Sequence, residues 1–355
     1  MAPSQEIILV VNPGSTSTKL VVVEGEKTIA HDTLSHSAEE LARFRTIWDQ
    51  FDSRLQVILD WALRYARNPN AVVTLGGLFR PVPGGVYAVN ERMLADAREN
   101  FQGEHASNLG CALAQKLAAR FQCPAFVVDP VSVDEFEPLA RYSGHPLIQR
   151  RTLSHAPSLH ATSSRAAAEL GRTPEDTDLV VAHMGGGISV AAIRGGKIID
   201  VNDASSDGPF SPERTGGLPL QPVISLCFSG KHTEQEMRAF VMGKGGMIAY
   251  LGTNSIQEVE KRIAGGDEQV REVFEAMAYQ IAKEIGAMAT VLRGLLHAVV
   301  LTGGLARSST LVGWIRQRVQ HLGPLLVYPG DDEMTYLARR ALRALRGDEP
   351  IRNYP

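Results

Sequence analysis

Cysteine is scarce in this chain: Cys111, Cys123 and Cys227 are the only three in 355 residues. They lie far apart and in odd number, which excludes a disulfide framework and thiolate metal spacing and fits a reducing compartment. No run approaches the roughly 18 apolar residues of a membrane span. The opening Met-Ala-Pro-Ser-Gln-Glu lacks the basic stretch that heads a secretory signal. Charge of one sign is also wanting, since 36 Lys and Arg face 39 Asp and Glu, a formal net charge of -3. Nothing in that balance attracts nucleic acid or anionic lipid. Low-complexity tracts are missing too. These absences predict a cytoplasmic protein with no nucleic-acid partner and no membrane, whose ligands are small molecules.

What is present is an ordinary globular composition, 44% apolar, in a chain longer than one hydrophobic core usually supports, so two domains are expected. Apolar runs at Ile7–Val11, Leu20–Val23 and Lys27–Leu34 read as three strands, and Ser37–Tyr65 has helical spacing capped by Ser37. The same plan returns at Leu179–His183, Ile188–Ile193 and Lys197–Val201. A second echo pairs Ala71-Val72-Val73-Thr74-Leu75-Gly76-Gly77-Leu78 with Ala298-Val299-Val300-Leu301-Thr302-Gly303-Gly304-Leu305. Duplication accounts for both. Amphipathic stretches at Asn108–Phe121, Glu234–Met242, Asp267–Leu292 and Asp332–Leu345 complete an α/β pattern of helices packed on mixed sheets.

The turns between these strands carry the chemistry. Asn12-Pro13-Gly14-Ser15-Thr16-Ser17-Thr18-Lys19 puts a glycine, four hydroxyls and a lysine into one hairpin, where N–H groups and hydroxyls can surround a phosphate. The Walker A order is absent and no long helix follows at once, so a hairpin rather than a helix N-terminus would hold the anion. A plain solvent-exposed turn is the alternative. His183-Met184-Gly185-Gly186-Gly187 forms a second hairpin, whose consecutive glycines imply close approach of a ligand or of backbone. His183 is either a core histidine or a donor to a transferring phosphoryl group. Gly303 and Gly304 end a buried strand, a position where a nucleoside can lie.

Those two hairpins, together with Gly208-Pro209-Phe210-Ser211-Pro212-Glu213-Arg214, resemble the butyrate kinase branch of the acetokinase family. So do His105-Ala106-Ser107-Asn108-Leu109-Gly110, Phe126-Val127-Val128-Asp129-Pro130, Gly243-Lys244-Gly245-Gly246, Ala276–Leu292 and Pro329-Gly330-Asp331-Asp332-Glu333-Met334, and the resemblance covers nearly the whole chain. It implies the α/β fold shared by acetate and sugar kinases, heat-shock chaperones and actin, a ribonuclease H-like type with two duplicated domains and a nucleotide cleft between them. Domain one would be 1–128 plus 332–355, and domain two 129–331. The implied reaction moves the γ-phosphoryl of ATP onto the carboxylate of butyrate or a branched-chain acid, giving ADP and an acyl phosphate, with Mg²⁺.

By the same resemblance Asn12, Asp129, His183 and Arg214 are catalytic, Asn12 and Glu333 hold the metal, and Arg80, His105 and Asn108 meet the acid. Gly14, Ser15, Thr16, Ser17, Lys19, Gly185, Gly186, Gly187, Gly303 and Gly304 would bind the nucleotide. Plainer roles exist for several of these: a local turn for Asp129, a helix dipole for Glu333, caps for His105 and Asn108. The chain departs from the family at Thr74-Leu75-Gly76-Gly77, where butyrate kinases carry arginine at the second position; Arg80 is the nearby candidate to supply that charge. Acetate or propionate kinase is the competing enzyme reading, and a phosphate-chain hydrolase a further one. A catalytically silent nucleotide sensor is the alternative that Leu75 favours. The resemblance also implies domain closure on nucleotide, and a homodimer or larger assembly is expected from the apolar helix Phe274–Leu292.

Overall fold

Apolar β-branched runs set the strands, numbered here in chain order. The computed structural model describes residues 6–330 and 333–355. The strands are β1 (Ile7–Pro13), β2 (Ser17–Glu24), β3 (Lys27–Ser35), β4 (Ala71–Thr74), β5 (Val86–Ala88), β6 (Ala125–Val128), β7 (Asp178–Met184), β8 (Ile188–Arg194), β9 (Lys197–Val201), β10 (Ala298–Gly303), β11 (Leu325–Pro329) and β12 (Ile351–Asn353). They form a seven-stranded sheet of order β12-β5-β6-β4-β1-β2-β3 and a five-stranded one of order β11-β10-β7-β8-β9.

The two sheets repeat one plan. An antiparallel meander, β1-β2-β3 or β7-β8-β9, is extended by two parallel strands, β4 and β6 or β10 and β11. Even the irregularity is shared: the ladder slips between Val22 and Val23 and between Ala192 and Ile193, each time just before the turn closed by Glu24 with Lys27 or Arg194 with Lys197. A bulge kept at the same place in both halves is the mark of a duplicated unit.

Alternation along β1 sends Leu9 and Val11 to one face and Ile8 and Val10 to the other. Helices Phe51–Tyr65 and Leu109–Phe121 cover the first face with Ile58, Trp61, Leu113 and Leu117. Helix Glu333–Arg346 covers the second with Leu337, Ala338 and Ala341. Each fully buried Leu or Ile is worth about 1.5–3 kcal/mol. The second sheet carries helices Glu268–Val291 and Ser309–Val319 on one side and Ala156–Glu169 on the other.

Contacts divide the chain into two compact units, Met1–Asp134 with Asp332–Pro355, and Glu135–Asp331. The division falls after Asp134 and leaves Asp129 in the first unit, where its carboxylate is held by Gly85, Tyr336 and Arg340. Asp331 and Asp332 lie outside the described residues, so the expected helix start at 332 does too. The expected helix Ser37–Tyr65 is three pieces, Ala38–Leu41, a 3-10 turn Ile47–Gln50 and Phe51–Tyr65. Thr46 and Asp49 form a capping box that restarts it. The apolar side chains of Phe274, Met277, Ile281, Ile285 and Met288 are buried inside the second unit, so that helix offers no seam to a partner there. Among the described residues no helix is long and apolar enough to cross a membrane.

Candidate active site

Since β1, β4 and β6 run parallel, their carboxyl ends share one edge of the first sheet, and Asn12, Leu75 and Asp129 lie there. Beyond Asn12 the chain turns through Gly14, Ser15 and Thr16, with Ser15 and Thr16 exposed and Gly14 N donating to Ser17 O at 2.7 Å. Lys19 is exposed on β2, directly across from Asn12. The Asn12 amide donates to Glu333 Oε1 at 3.3 Å, and Glu333 is buried at the start of its helix. The structure thus brings the side chains of Asn12 and Glu333 into contact. One carboxylate and one amide oxygen are hard donors, suited to a small cation that keeps waters and takes phosphate oxygens. Among the described residues no cluster of three or more His, Cys, Asp or Glu forms a closed metal cage.

Asp129, expected near the transferred phosphoryl and its metal, has a well-defined setting at the end of β6. It is fully buried, with a left-handed φ of 43°. Gly85 N donates to its Oδ1 at 2.6 Å, and Tyr336 Oη and Arg340 Nη1 donate to its Oδ2 at 2.7 and 3.0 Å. Arg340 is also paired with Glu349. Burial works against the Arg340 charge, but Asp129 and Glu349 more than offset it. Burial, and then Asp129, holds the Tyr336 phenol protonated far above its usual range. Asp129 therefore ties the helix Glu333–Arg346 to the end of β6.

The three residues expected to meet the acid are placed in framework contacts. Arg80 Nε and Nη2 form a bidentate pair with buried Asp96, at 2.7 and 3.2 Å, and the guanidinium lies over Phe101. Asn108 is wholly buried: Oδ1 accepts from Leu78 N, and Nδ2 donates to Asn100 Oδ1 and Gly103 O. Its amide thereby fixes the Gly76-Gly77 turn, where a β-carbon on Gly77 would meet Asn108 Oδ1 at 2.4 Å. His105 caps the short turn Ala106–Asn108 through Ser107 N. Leu75 belongs to the core under helix Glu333–Arg346, an apolar position in which a guanidinium would have to displace packing.

In the second unit His183 is buried near the end of β7, its ring stacked on that of His155 at 4.3 Å. His155 Nδ1 is 2.9 Å from Ser189 Oγ. The glycine turn follows, and Arg214 packs onto it: its Nη1 donates to Ala204 O at 2.7 Å and lies so close to Gly187 that any side chain there would strike it. Burial draws the Arg214 guanidinium below its usual value, with Glu213 and Asp203 acting the other way. Gly303, at φ 89°, would drive a β-carbon into Met184 O, so β10 and β7 approach as only glycine permits. A pocket of about 440 Å³ opens between these elements, lined by Gly185, Gly186, Asn254, Glu260, Gly304 and Arg307 among others. That volume suits a small organic ligand.

The acetokinase family profile matches residues 139–345. The chain is 49% identical over 352 residues to a Listeria innocua protein named "Probable butyrate kinase" and 46% identical over 352 residues to "Butyrate kinase 2" of Clostridium acetobutylicum, covering 98% of this chain and 99% of the relative in both cases. The chain belongs to the acetokinase family. Among solved structures, Porphyromonas gingivalis acetate kinase superposes with a TM-score of 0.78 at 18% identity, covering 95% of this chain and 99% of that one. A Francisella tularensis propionate kinase gives 0.72 at 18%, covering 94% and 98%. At that identity the likeness is one of fold.

Within this acetokinase, sequence reading missed three features. Arg54, beneath the first hairpin, occupies a core position at helical spacing from Ile58, Trp61 and Ala62, and a cation on that stripe is the signal that could have found it. His155 precedes the Ala156-Pro157 start of a helix and carried no local sign of its stacking on His183. Asn254 and Glu260 reach the glycine pocket from a loop and helix far along the chain, and only folding brings them there.

Proposed function

We propose that this acetokinase phosphorylates the carboxylate of a short-chain fatty acid, butyrate or a branched relative, using ATP and releasing ADP and an acyl phosphate. The observation that carries the reading is near-full-length identity of 46–49% to proteins named butyrate kinases. A carboxylate oxygen attacks the γ-phosphorus in line while the bond to the β–γ bridging oxygen breaks, so no general base is needed and the protein's work is positioning and charge stabilisation. The pocket beside Gly185, Gly186 and Gly304 would take the nucleotide, and Arg214 and His183 would donate to the transferring group. Asn12 and Glu333 would hold Mg²⁺, which supplies neutralisation of phosphate charge. With Leu75 in the core and Arg80 paired to Asp96, the acid's carboxylate has to be met by other donors.

The assay is hydroxamate trapping with Mg-ATP, hydroxylamine and acetate, propionate, butyrate or isobutyrate. Product should be greatest with four-carbon acids and lost on adding excess EDTA; each buried methylene is worth about 0.8 kcal/mol, about fourfold in specificity. Nucleotide binding without product from any acid would end this reading in favour of a sensor.

A cytoplasmic setting is inferred as well, in keeping with three free thiols. Self-association is proposed through the helix Leu220–Cys227, which buries none of its residues and leaves Leu220 and nearby Phe228 exposed. Light scattering should return at least a dimer mass at micromolar concentration; a monomer would remove the proposal.

A further inference from the structure

Among the described residues, Arg54 is a buried cation whose hydrogen-bond partners are all neutral. Its side chain is 2% exposed. Nε and Nη2 donate to Gln50 Oε1 at 3.0 and 2.9 Å, Nη2 also to Ser15 O at 3.3 Å, and Nη1 to Gly14 O at 2.9 Å and Thr18 Oγ1 at 3.1 Å. Burial draws its pKa down, and among the described residues the carboxylate acting on it is Glu40, partly exposed and outside hydrogen-bond contact. Proteins rarely bury a guanidinium without a carboxylate, because desolvation then goes uncompensated.

The neutral partners have a consequence for the hairpin. A trans peptide points its C=O and the next N–H in opposite directions. Turning the Gly14 and Ser15 carbonyls inward onto Arg54 therefore turns the Ser15 and Thr16 N–H groups outward, and among the described residues these donate to no protein acceptor. His36 holds the other side, its N donating to Thr16 O at 2.8 Å and its Nε2 lying 3.0 Å from Thr18 Oγ1. The loop is left with two outward-facing N–H groups on the side of the hairpin opposite a fixed positive charge, an arrangement suited to an oxyanion.

We propose that Arg54 is a positioning residue for the phosphate hairpin, and that the phosphoryl group bound at Ser15 and Thr16 is the counter-charge this guanidinium otherwise lacks. The proposal rests on the reading of Asn12–Lys19 as a phosphate loop and deepens it; it requires anion binding but not any particular acid.

The test replaces the neutral acceptor by a charged one of the same shape. In the full-length protein, Gln50→Glu gives Arg54 a carboxylate where the amide oxygen now lies. Without ligand, Gln50→Glu should melt at or above the temperature of the unaltered chain. Its affinity for inorganic phosphate, read from phosphate-dependent melting shifts, should fall about tenfold, and kcat for acyl phosphate formation by a similar factor. A merely structural arginine would not separate these readouts. Native phosphate affinity in Gln50→Glu overturns the proposal, as does a parallel fall of affinity and melting temperature, or an unaltered chain that phosphate does not protect. If Gln50→Glu does not fold, Arg54→Lys decides, since it keeps the charge but not the fork: weakened phosphate protection is expected, and unchanged protection overturns the idea. Phosphate protection is measured without turnover, so absence of kinase activity would refute the functional reading and leave this test standing.

Discussion

Gly187→Ala is expected to lower kcat for acyl phosphate formation by about 100-fold while the melting temperature moves by only a few degrees. A β-carbon at Gly187 would lie 2.4 Å from Arg214 Nη1 and 2.7 Å from its Cζ. The obstructed group is the far end of a flexible side chain, and Gly187 does not have the left-handed φ that resists alanine, so the guanidinium moves and the backbone stays. What is lost is the bond to Ala204 O and the aim of Arg214. The double variant with Arg214→Ala should then be little worse than either single one, the non-additivity of two changes acting through one group. Hydroxamate rates and melting curves on the three proteins check this. Full additivity would mean that Gly187 acts independently of Arg214. Gly303→Ala should behave differently: its β-carbon would meet Met184 O at 2.4 Å from a φ of 89°, a backbone obstruction that lowers stability first.

Asp129→Ala is expected to lower the unfolding free energy by about 3–5 kcal/mol, the effect of removing one partner of a buried ion pair. Gly85 N and Tyr336 Oη would lose their acceptor, and Arg340 would keep Glu349 and the Tyr336 hydroxyl. Any loss of activity would then follow from a loosened helix Glu333–Arg346, and with it Glu333. Tyr336→Phe removes one hydrogen bond to the same carboxylate and should cost about 1–2 kcal/mol with kcat little changed. Urea unfolding with parallel assays separates the roles. An Asp129→Ala protein as stable as the native one but inactive would restore the direct catalytic role that family resemblance suggests.

Much of the frame was legible because strand periodicity and glycine placement are local signals. Both meanders, the Gly185–Gly187 turn and the parallel strand ending at Gly303 follow from residues adjacent in sequence. What could not be read is what folding joins across long separations. Asp129 is a strand-end aspartate in sequence, and only the arrival of Tyr336 and Arg340 makes it a buried anchor. Arg80 reads in sequence as a candidate for the acid's carboxylate, and only folding shows Asp96 and Tyr354 closing on it. Three-residue β5 and β12 are too short to show periodicity, and their pairing depends on the chain's last turn. Helix Leu220–Cys227 was not among the expected helices, and it buries none of its residues.

Only the first sheet depends on chain from far beyond its own stretch: Glu333–Arg346 follows the second sheet's strands yet packs on the first, whereas Ala156–Glu169, which packs on the second sheet, lies within that unit's own continuous stretch. On the ribosome this inverts the usual order of maturation, in which the amino-terminal part completes itself first. Nascent chain ending before residue 333 leaves Ile8, Val10, Val73 and Phe126 without their cover, whereas everything the second sheet needs has already been synthesised. The later-made half can finish while the earlier one waits for the last turns of the polypeptide, its apolar sheet face uncovered in the interval.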